Sequence, residues 1–400
     1  MQNEPVAALS SLLMIPGPVE VSPAVLEALG QPPPGHLEPR LIEAFGAALA
    51  GMRRVWRTAP ESQPFVVAGG GTLAMDMAAA NLVEPGDRVV VVNTGYFSDR
   101  MAEMLRRLGA EVREVRAPVG DAPQVEEVRE ALDMGAPCKA LFATHVDTST
   151  GVRIDPQPLV RLVRERGILS VFDGVCATGG ERFEMEAWGA DLYLTASQKA
   201  LGLPPGLALM VASDRALAAR RARRAAPPLY LDWLEWLPVM RAYEERRPAY
   251  FSTPATNLVL ALAAGLAEIL AEGVDAVVAR HERAARALRA AWQALGLPTV
   301  PVRPELQANT LSALRFPPGV DASLVRKIAE RGVIVAGGLH PAIRSEYFRV
   351  GHMGYATARD DLLLRTVEAV AGALRDAGSL VDEEAARRAA AAALQHPGTS

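Results

Sequence analysis

Short apolar runs and amphipathic stretches alternate along most of this chain. Phe65-Val66-Val67 reads as a strand, and Leu73–Leu82 follows with helical composition. The pairing recurs in strand Arg88–Val92 with helix Ser98–Leu108, strand Glu111–Val115 with helix Val125–Leu132, and strand Lys139–Ala143 with helix Pro158–Arg166. Leu169–Phe172 is a further strand that ends in Asp173, and Asp191–Leu194 and Leu207–Val211 add two more. Short apolar strands interleaved with helices predict an α/β fold whose large, mostly parallel sheet is covered on both faces.

The ends of the chain follow other patterns. Residues 1–60 read as an arm broken by Pro16-Gly17-Pro18 and Pro32-Pro33-Pro34-Gly35, with a helix from Glu38 to Trp56. Residues 61–257 form the expected large domain. Leu258–Leu295 is helical by composition and broken near Gly273, and predicts the connection out of that domain. Residues 296–400 restart with strands at Leu311–Arg315, Ile334–Ala336 and Tyr347–Val350 and helices at Ala322–Arg331 and Arg359–Leu374. They predict a smaller C-terminal α/β domain, closed by an alanine- and arginine-rich helix over Asp382–Leu394 and a polar tail.

Composition narrows the function. A net charge of -4 and a pI near 6.0 argue against nucleic acid as the main partner. No apolar stretch approaches the ~20 residues of a membrane span. The Met-Gln-Asn-Glu start lacks a basic segment leading into an apolar one, so a cytoplasmic location is expected. Cys138 and Cys176 are too far apart for a CxxC site, and the six histidines show no metal-like spacing, so free thiols and no metal are expected.

Lysine is scarce, occurring only at Lys139, Lys199 and Lys327. Lys199 sits in Ser197-Gln198-Lys199-Ala200-Leu201-Gly202, just after an apolar strand. An arginine there would keep the charge but could not lose a proton and form an imine. Lys199 therefore reads as a covalent anchor for a carbonyl compound. Gly69-Gly70-Gly71-Thr72 links a strand to a helix and offers free N–H groups to a phosphate, with neither the Gly-Lys-Ser/Thr of a Walker loop nor the third glycine of a dinucleotide fingerprint. Asp173, at a strand end, is either a turn residue or the partner of a buried cation such as a protonated pyridine nitrogen. A phosphate cup, an acid and an imine-forming amine are together what pyridoxal 5'-phosphate requires.

On these residues the chain resembles the class V, fold type I, pyridoxal-phosphate aminotransferases, and within them the alanine–glyoxylate, serine–glyoxylate and serine–pyruvate group. The segments that carry the resemblance are Gly69–Thr72, Gly95–Arg100, Thr148–Gly151, Val171–Gly180, Ser197–Gly206 and Arg349–Gly354. The resemblance implies that Lys199 binds the cofactor and Asp173 pairs with its ring nitrogen. It implies that Phe97 stacks on the ring, where many relatives have tryptophan, and that Thr148 lies near the phenolic oxygen. Gly70, Gly71, Thr72 and Gln198 would hold the phosphate, although relatives often have histidine at the place of Thr72. Tyr250 and Thr253 would reach the phosphate from the partner subunit of a homodimer, and Arg349 would grip the substrate carboxylate. The activity implied is transfer of an amino group from alanine or serine to glyoxylate or pyruvate, in two half-reactions. The rivals are another reaction on the same cofactor, such as a desulfurase or lyase, and a noncatalytic protein on the same fold.

Overall fold

The computed structural model describes residues 11–395. The first ten residues of the expected arm, and the polar tail beyond Gln395, lie outside it. A long amphipathic helix, α1 (Pro39–Trp56), precedes the sheet. The alternation then appears as predicted: β1 (Gln63–Ala68), α2 (Gly71–Leu82), β2 (Arg88–Asn93), α3 (Tyr96–Arg107), β3 (Glu111–Arg116), α4 (Val125–Asp133), β4 (Cys138–Thr144), α5 (Pro156–Arg164), β5 (Leu169–Asp173), β6 (Leu192–Ala196) and β7 (Leu207–Ala212). The seven strands form one sheet in the order β1-β7-β6-β5-β4-β2-β3. All run the same way except β7, which is antiparallel to both neighbours.

Burial follows position in the sheet. Every residue of β2 is buried, as its unbroken valine run requires when helices cover both faces. The edge strand β3, Glu-Val-Arg-Glu-Val-Arg, has no fully buried residue, and its charges discourage pairing with another chain. Because β1, β2, β4, β5 and β6 are co-directional, their carboxyl ends share one edge of the sheet. Ligands bind at that edge in open α/β sheets.

The C-terminal part has its own sheet, with Leu311–Arg315 and Ala336–Gly337 on either side of Tyr347–Gly351. Helices α6 (Thr256–Glu272) and α7 (Val274–Ala294) meet at 86° across Gly273, whose φ of +97° favours glycine. No single helix among the described residues is long and apolar enough to cross a membrane.

Some expectations need correction. The single strand expected at Ile334–Ala336 is two. Val333–Ile334 pairs in parallel with Leu12–Leu13 of the arm, and Ala336–Gly337 pairs with Tyr347–Gly351. The chain changes partners at Val335 because the arm supplies a strand that local periodicity cannot reveal. The α5 helix begins at Pro156, where Asp155 caps it through Gln157 N. Helices at Pro23–Leu29, Asp214–Arg221 and Trp233–Glu244 have no counterpart in the sequence reading. The last contains Pro238, which local rules place outside helix interiors, yet it buries Trp233, Trp236 and Met240.

The arm is held by backbone on both sides. Met14 N donates to Ile334 O at 2.9 Å, and Gly351 N donates to Met14 O at 2.7 Å. A Cβ on Gly351 would lie 2.2 Å from Ile15 O. We expect Gly351→Ala to destabilise the protein by about 1–3 kcal/mol, as overpacking against rigid backbone does. The check is urea unfolding of variant and wild type, where an unchanged midpoint would contradict this packing.

Candidate active site

Five strand ends build the site. After β1, Gly70 caps α2 without a side chain, so the first N–H groups of that helix are not covered by a cap. A Cβ at Gly70 would meet nothing within 4 Å, whereas one at Gly71 would lie 2.9 Å from Val175 Cγ2. The turn is therefore open on one side and packed on the other. After β2, Gly95 admits close approach of the Asp147 carboxylate and the Ser149 hydroxyl, because any Cβ would lie within 2.8 Å of both. The Asp147 carboxylate then accepts from Phe97 N at 3.1 Å and Ser98 N at 3.3 Å. It caps α3 from a distant loop and fixes the turn that carries Phe97.

Asp173 ends β5, 4% exposed, and accepts from Val175 N at 2.9 Å. Burial pushes its carboxyl up to about 6, against the Val175 amide and with help from the Asp147 charge. Lys199, in the turn after β6, is 9% exposed. Burial lowers the pKa of its amine. Its Nζ donates to Pro16 O, and a Cβ on Gly17 would lie 2.6 Å from its Cδ. The arm thus lies directly over the lysine.

These groups line one cavity of about 200 Å³ with Gly71, Thr72, Phe97, Thr148 and Gln198. Arg349 approaches from the C-terminal sheet. Its Nε donates to Gly337 O at 2.9 Å and its Nη1 to Thr148 O at 3.1 Å. No carboxylate among the described residues forms an ion pair with it. Tyr250 and Thr253 stand outside the cavity of their own chain. Tyr250 is 60% exposed, its hydroxyl 3.4 Å from Thr253 Oγ1 and its ring 5.0 Å from that of His36. Cys176 is buried, and its thiol is pushed up by burial. His352 is buried between Asn309 O and Ser312 Oγ, and burial pushes it down to about 3, so it serves packing.

Sequence reasoning misses one charged group that lines the cavity and one that supports it from outside. Arg100 is one, and its spacing of three from Phe97 on a helix was an available signal. Asp147 is the other, and no local pattern marks a residue that caps a helix fifty positions away.

The aminotransferase class-V family model matches residues 36–361. The chain belongs to the class V aminotransferases. It is 37% identical over 365 residues to alanine–glyoxylate aminotransferase 1 of Saccharomyces cerevisiae, covering 88% of this chain and 94% of that protein. It is 34% identical over 350 residues to L-aspartate–glyoxylate aminotransferase of Paracoccus denitrificans, covering 86% and 87%. The crystal structure of alanine–glyoxylate aminotransferase from Nostoc sp. superposes with a TM-score of 0.85 at 34% identity, covering 94% of this chain and 98% of that one.

The fold of this aminotransferase is fold type I, and its cofactor is pyridoxal phosphate. The residues present fit that group. Asp173 is a buried carboxylate without an ion-pair partner among the described residues, and Gln198 Oε1 is a buried polar atom without a hydrogen bond. The open side of Gly70 leaves room beside a helix N-terminus. Such features are costly unless a ligand satisfies them.

The Asp173 environment gives a signed expectation for the aminotransferase stripped of cofactor. An unfolded aspartate titrates near 3.9 and the folded one at about 6. Asp173 therefore favours the folded state below pH ~4, and this is lost as pH rises through about 6. Asp173→Asn does not titrate. Its unfolding free energy relative to wild type should rise by up to roughly 3 kcal/mol between those limits and then level off. Denaturant titrations at several pH values measure this, and a pH-independent difference would contradict the burial argument.

Proposed function

We propose that this aminotransferase moves the amino group of a small amino acid, alanine or serine, to a small 2-oxo acid, glyoxylate or pyruvate. Arg349 carries the proposal: a guanidinium held by two carbonyls, unpaired with any acid among the described residues, with its Nη1 on the loop that bears Thr148. An α-carboxylate is the natural partner of such a fork. The names of the yeast and Nostoc relatives support alanine and glyoxylate. In this reading the donor leaves as an oxo acid before the acceptor binds.

When bound, pyridoxal phosphate supplies an aldehyde that condenses with amines and a ring that accepts the electron pair left on a substrate carbon. The chain does the rest. Lys199 Nζ holds the carbonyl carbon between turnovers. Once displaced, the buried amine, its pKa lowered, would take the proton from the substrate Cα and pass it to the carbon that was the cofactor's aldehyde, so that the amino group stays behind when the oxo acid leaves. The Asp173 carboxylate would keep a proton on the ring nitrogen, and that cation would in turn favour the ionised acid. Phe97 would cover one face of the ring, and the Thr148 hydroxyl would serve its oxygen. Gly70, Gly71, Thr72 and Gln198 surround the phosphate. Tyr250 and Thr253 of a second subunit complete that shell in a cytoplasmic homodimer. Their distance from their own cavity, and the exposure of Tyr250, support the sharing. Residues 61–257 then act as the cofactor unit and residues 296–400 as the carboxylate-binding unit.

The kinetic test is Arg349→Ala, which should lower kcat/KM for alanine by about tenfold to a hundredfold while cofactor absorbance persists. Arg349→Lys should recover only part, because an ammonium lacks the planar fork. A donor panel should rank alanine and serine above aspartate and glutamate. Near-wild-type kinetics in Arg349→Ala would refute the role, and a preference for glutamate would refute the donor class.

Sharing of the site is tested with mixed dimers. Lys199→Ala and Tyr250→Ala subunits, refolded together, should regain activity well above either parent, because one site then has both groups intact. Activity that never exceeds the better parent would argue for sites built from single chains.

A further inference from the structure

Arg100 has no place in the scheme above. It sits one helical turn beyond Phe97 on α3 and lines the same cavity as Lys199 and Asp173. Its Nη1 donates to Thr72 Oγ1 at 3.2 Å and its Nη2 to Tyr96 Oη at 2.9 Å. Its guanidinium lies 5.0 Å from the centroid of the Tyr96 ring and 5.3 Å from that of Phe97, so the two rings hold it laterally. It forms no ion pair with an acid among the described residues, unlike Arg106 and Arg107 of the same helix. A guanidinium has five N–H donors, and two hydroxyl contacts leave others free.

The charge balance of the phosphate cup points to a use for it. A phosphate monoester carries about -1.5 to -2 charges at neutral pH. A helix N-terminus offers the equivalent of roughly +0.5. The glycine turn itself carries no cation. Among the described residues the cavity is lined by two basic side chains, Lys199 and Arg100, and Lys199 is committed to the carbonyl. Arg100 already donates to Thr72, in the first turn of the helix whose N–H groups face that cup. We propose that Arg100 is a further cofactor-binding residue: it supplies the cationic partner of the phosphate, directly and through the Thr72 hydroxyl. The inference rests on the reading that the Gly70–Thr72 turn holds the phosphate. Through α3 it also joins ring and phosphate recognition, since Phe97 and Arg100 share one helix that Asp147 fixes.

The experiment titrates cofactor-free wild type, Arg100→Gln and Arg100→Lys with pyridoxal phosphate, with pyridoxal, and with pyridoxal phosphate against inorganic phosphate. Absorbance and tryptophan fluorescence report binding without reference to turnover. Arg100→Gln should bind pyridoxal phosphate about tenfold or more weakly, as loss of a charge-assisted contact implies. Its affinity for pyridoxal should stay at the wild-type value, and inorganic phosphate should compete far less than in wild type. Arg100→Lys should recover part of the loss.

Unchanged affinity of Arg100→Gln for pyridoxal phosphate overturns the proposal. So does an equal loss for pyridoxal, which would mark Arg100 as a support of α3. Unchanged cofactor affinity with a raised KM for aspartate would assign Arg100 to the distal carboxylate of a dicarboxylic donor instead. If wild type itself shows no preference for pyridoxal phosphate over pyridoxal, the phosphate cup is wrong as well, and that result is separate from any effect of the variants.

Discussion

The cost of burying unlike charges without letting them neutralise one another governs this structure. Asp173 and Lys199 line one small cavity, and Arg349 is anchored to the carbonyl of its Thr148, yet no ion pair forms among the three. Paired with each other, they would be satisfied and inert. Kept apart, each presents unmet electrostatic demand in a medium where such demand is strong. The sheet makes that separation durable, because Asp173 ends one strand, Lys199 follows the next, and Arg349 belongs to a different sheet. Rigid backbone holds the charges where mobile side chains would collapse together.

A second set of residues serves that arrangement without touching its chemistry. Asp147 is a buried acid satisfied only by amides and hydroxyls. Its charge adds to the upward push on Asp173, while its hydrogen bonds set the start of the helix that carries Phe97 and Arg100. Tyr347 donates from its hydroxyl to Ser149 O and accepts from Leu339 N and His340 N, tying the same loop to the C-terminal sheet. The loop over residues 147–151 is therefore a joint between the carboxyl edge of the large sheet and the C-terminal sheet.

What the sequence made legible was the part encoded in short windows. The valine run of β2, the alternation in β3 and the glycines before α2 each reveal their element from local composition. Lys199 stood out because lysine is otherwise nearly absent, and Asp173 because it closes an apolar strand. Arrangements that depend on distant residues stayed hidden. The split at Val335 required a strand from the arm, the helix at Trp233–Glu244 is held by tryptophans in the core despite Pro238, and Asp147 works on a helix remote in sequence. Arg100 lies between these cases, visible as a helix neighbour of Phe97 but not interpretable until Thr72 was placed beside it.

The pairing of Leu12–Leu13 with Val333–Ile334 has a consequence for how the molecule comes into being. The arm leaves the ribosome before either sheet, and its partner strand is made more than three hundred residues later. Closing so long a loop is entropically expensive until the rest of the chain is folded. The large sheet can assemble in the meantime from sequential, local units. Lys199 therefore lacks its cover until the C-terminal sheet has been made. Only when the C-terminal sheet receives the arm does Pro16 settle against the lysine. Arrival of the C-terminal sheet is thus felt at the amine, because the strand that holds the arm also holds Pro16 over Lys199.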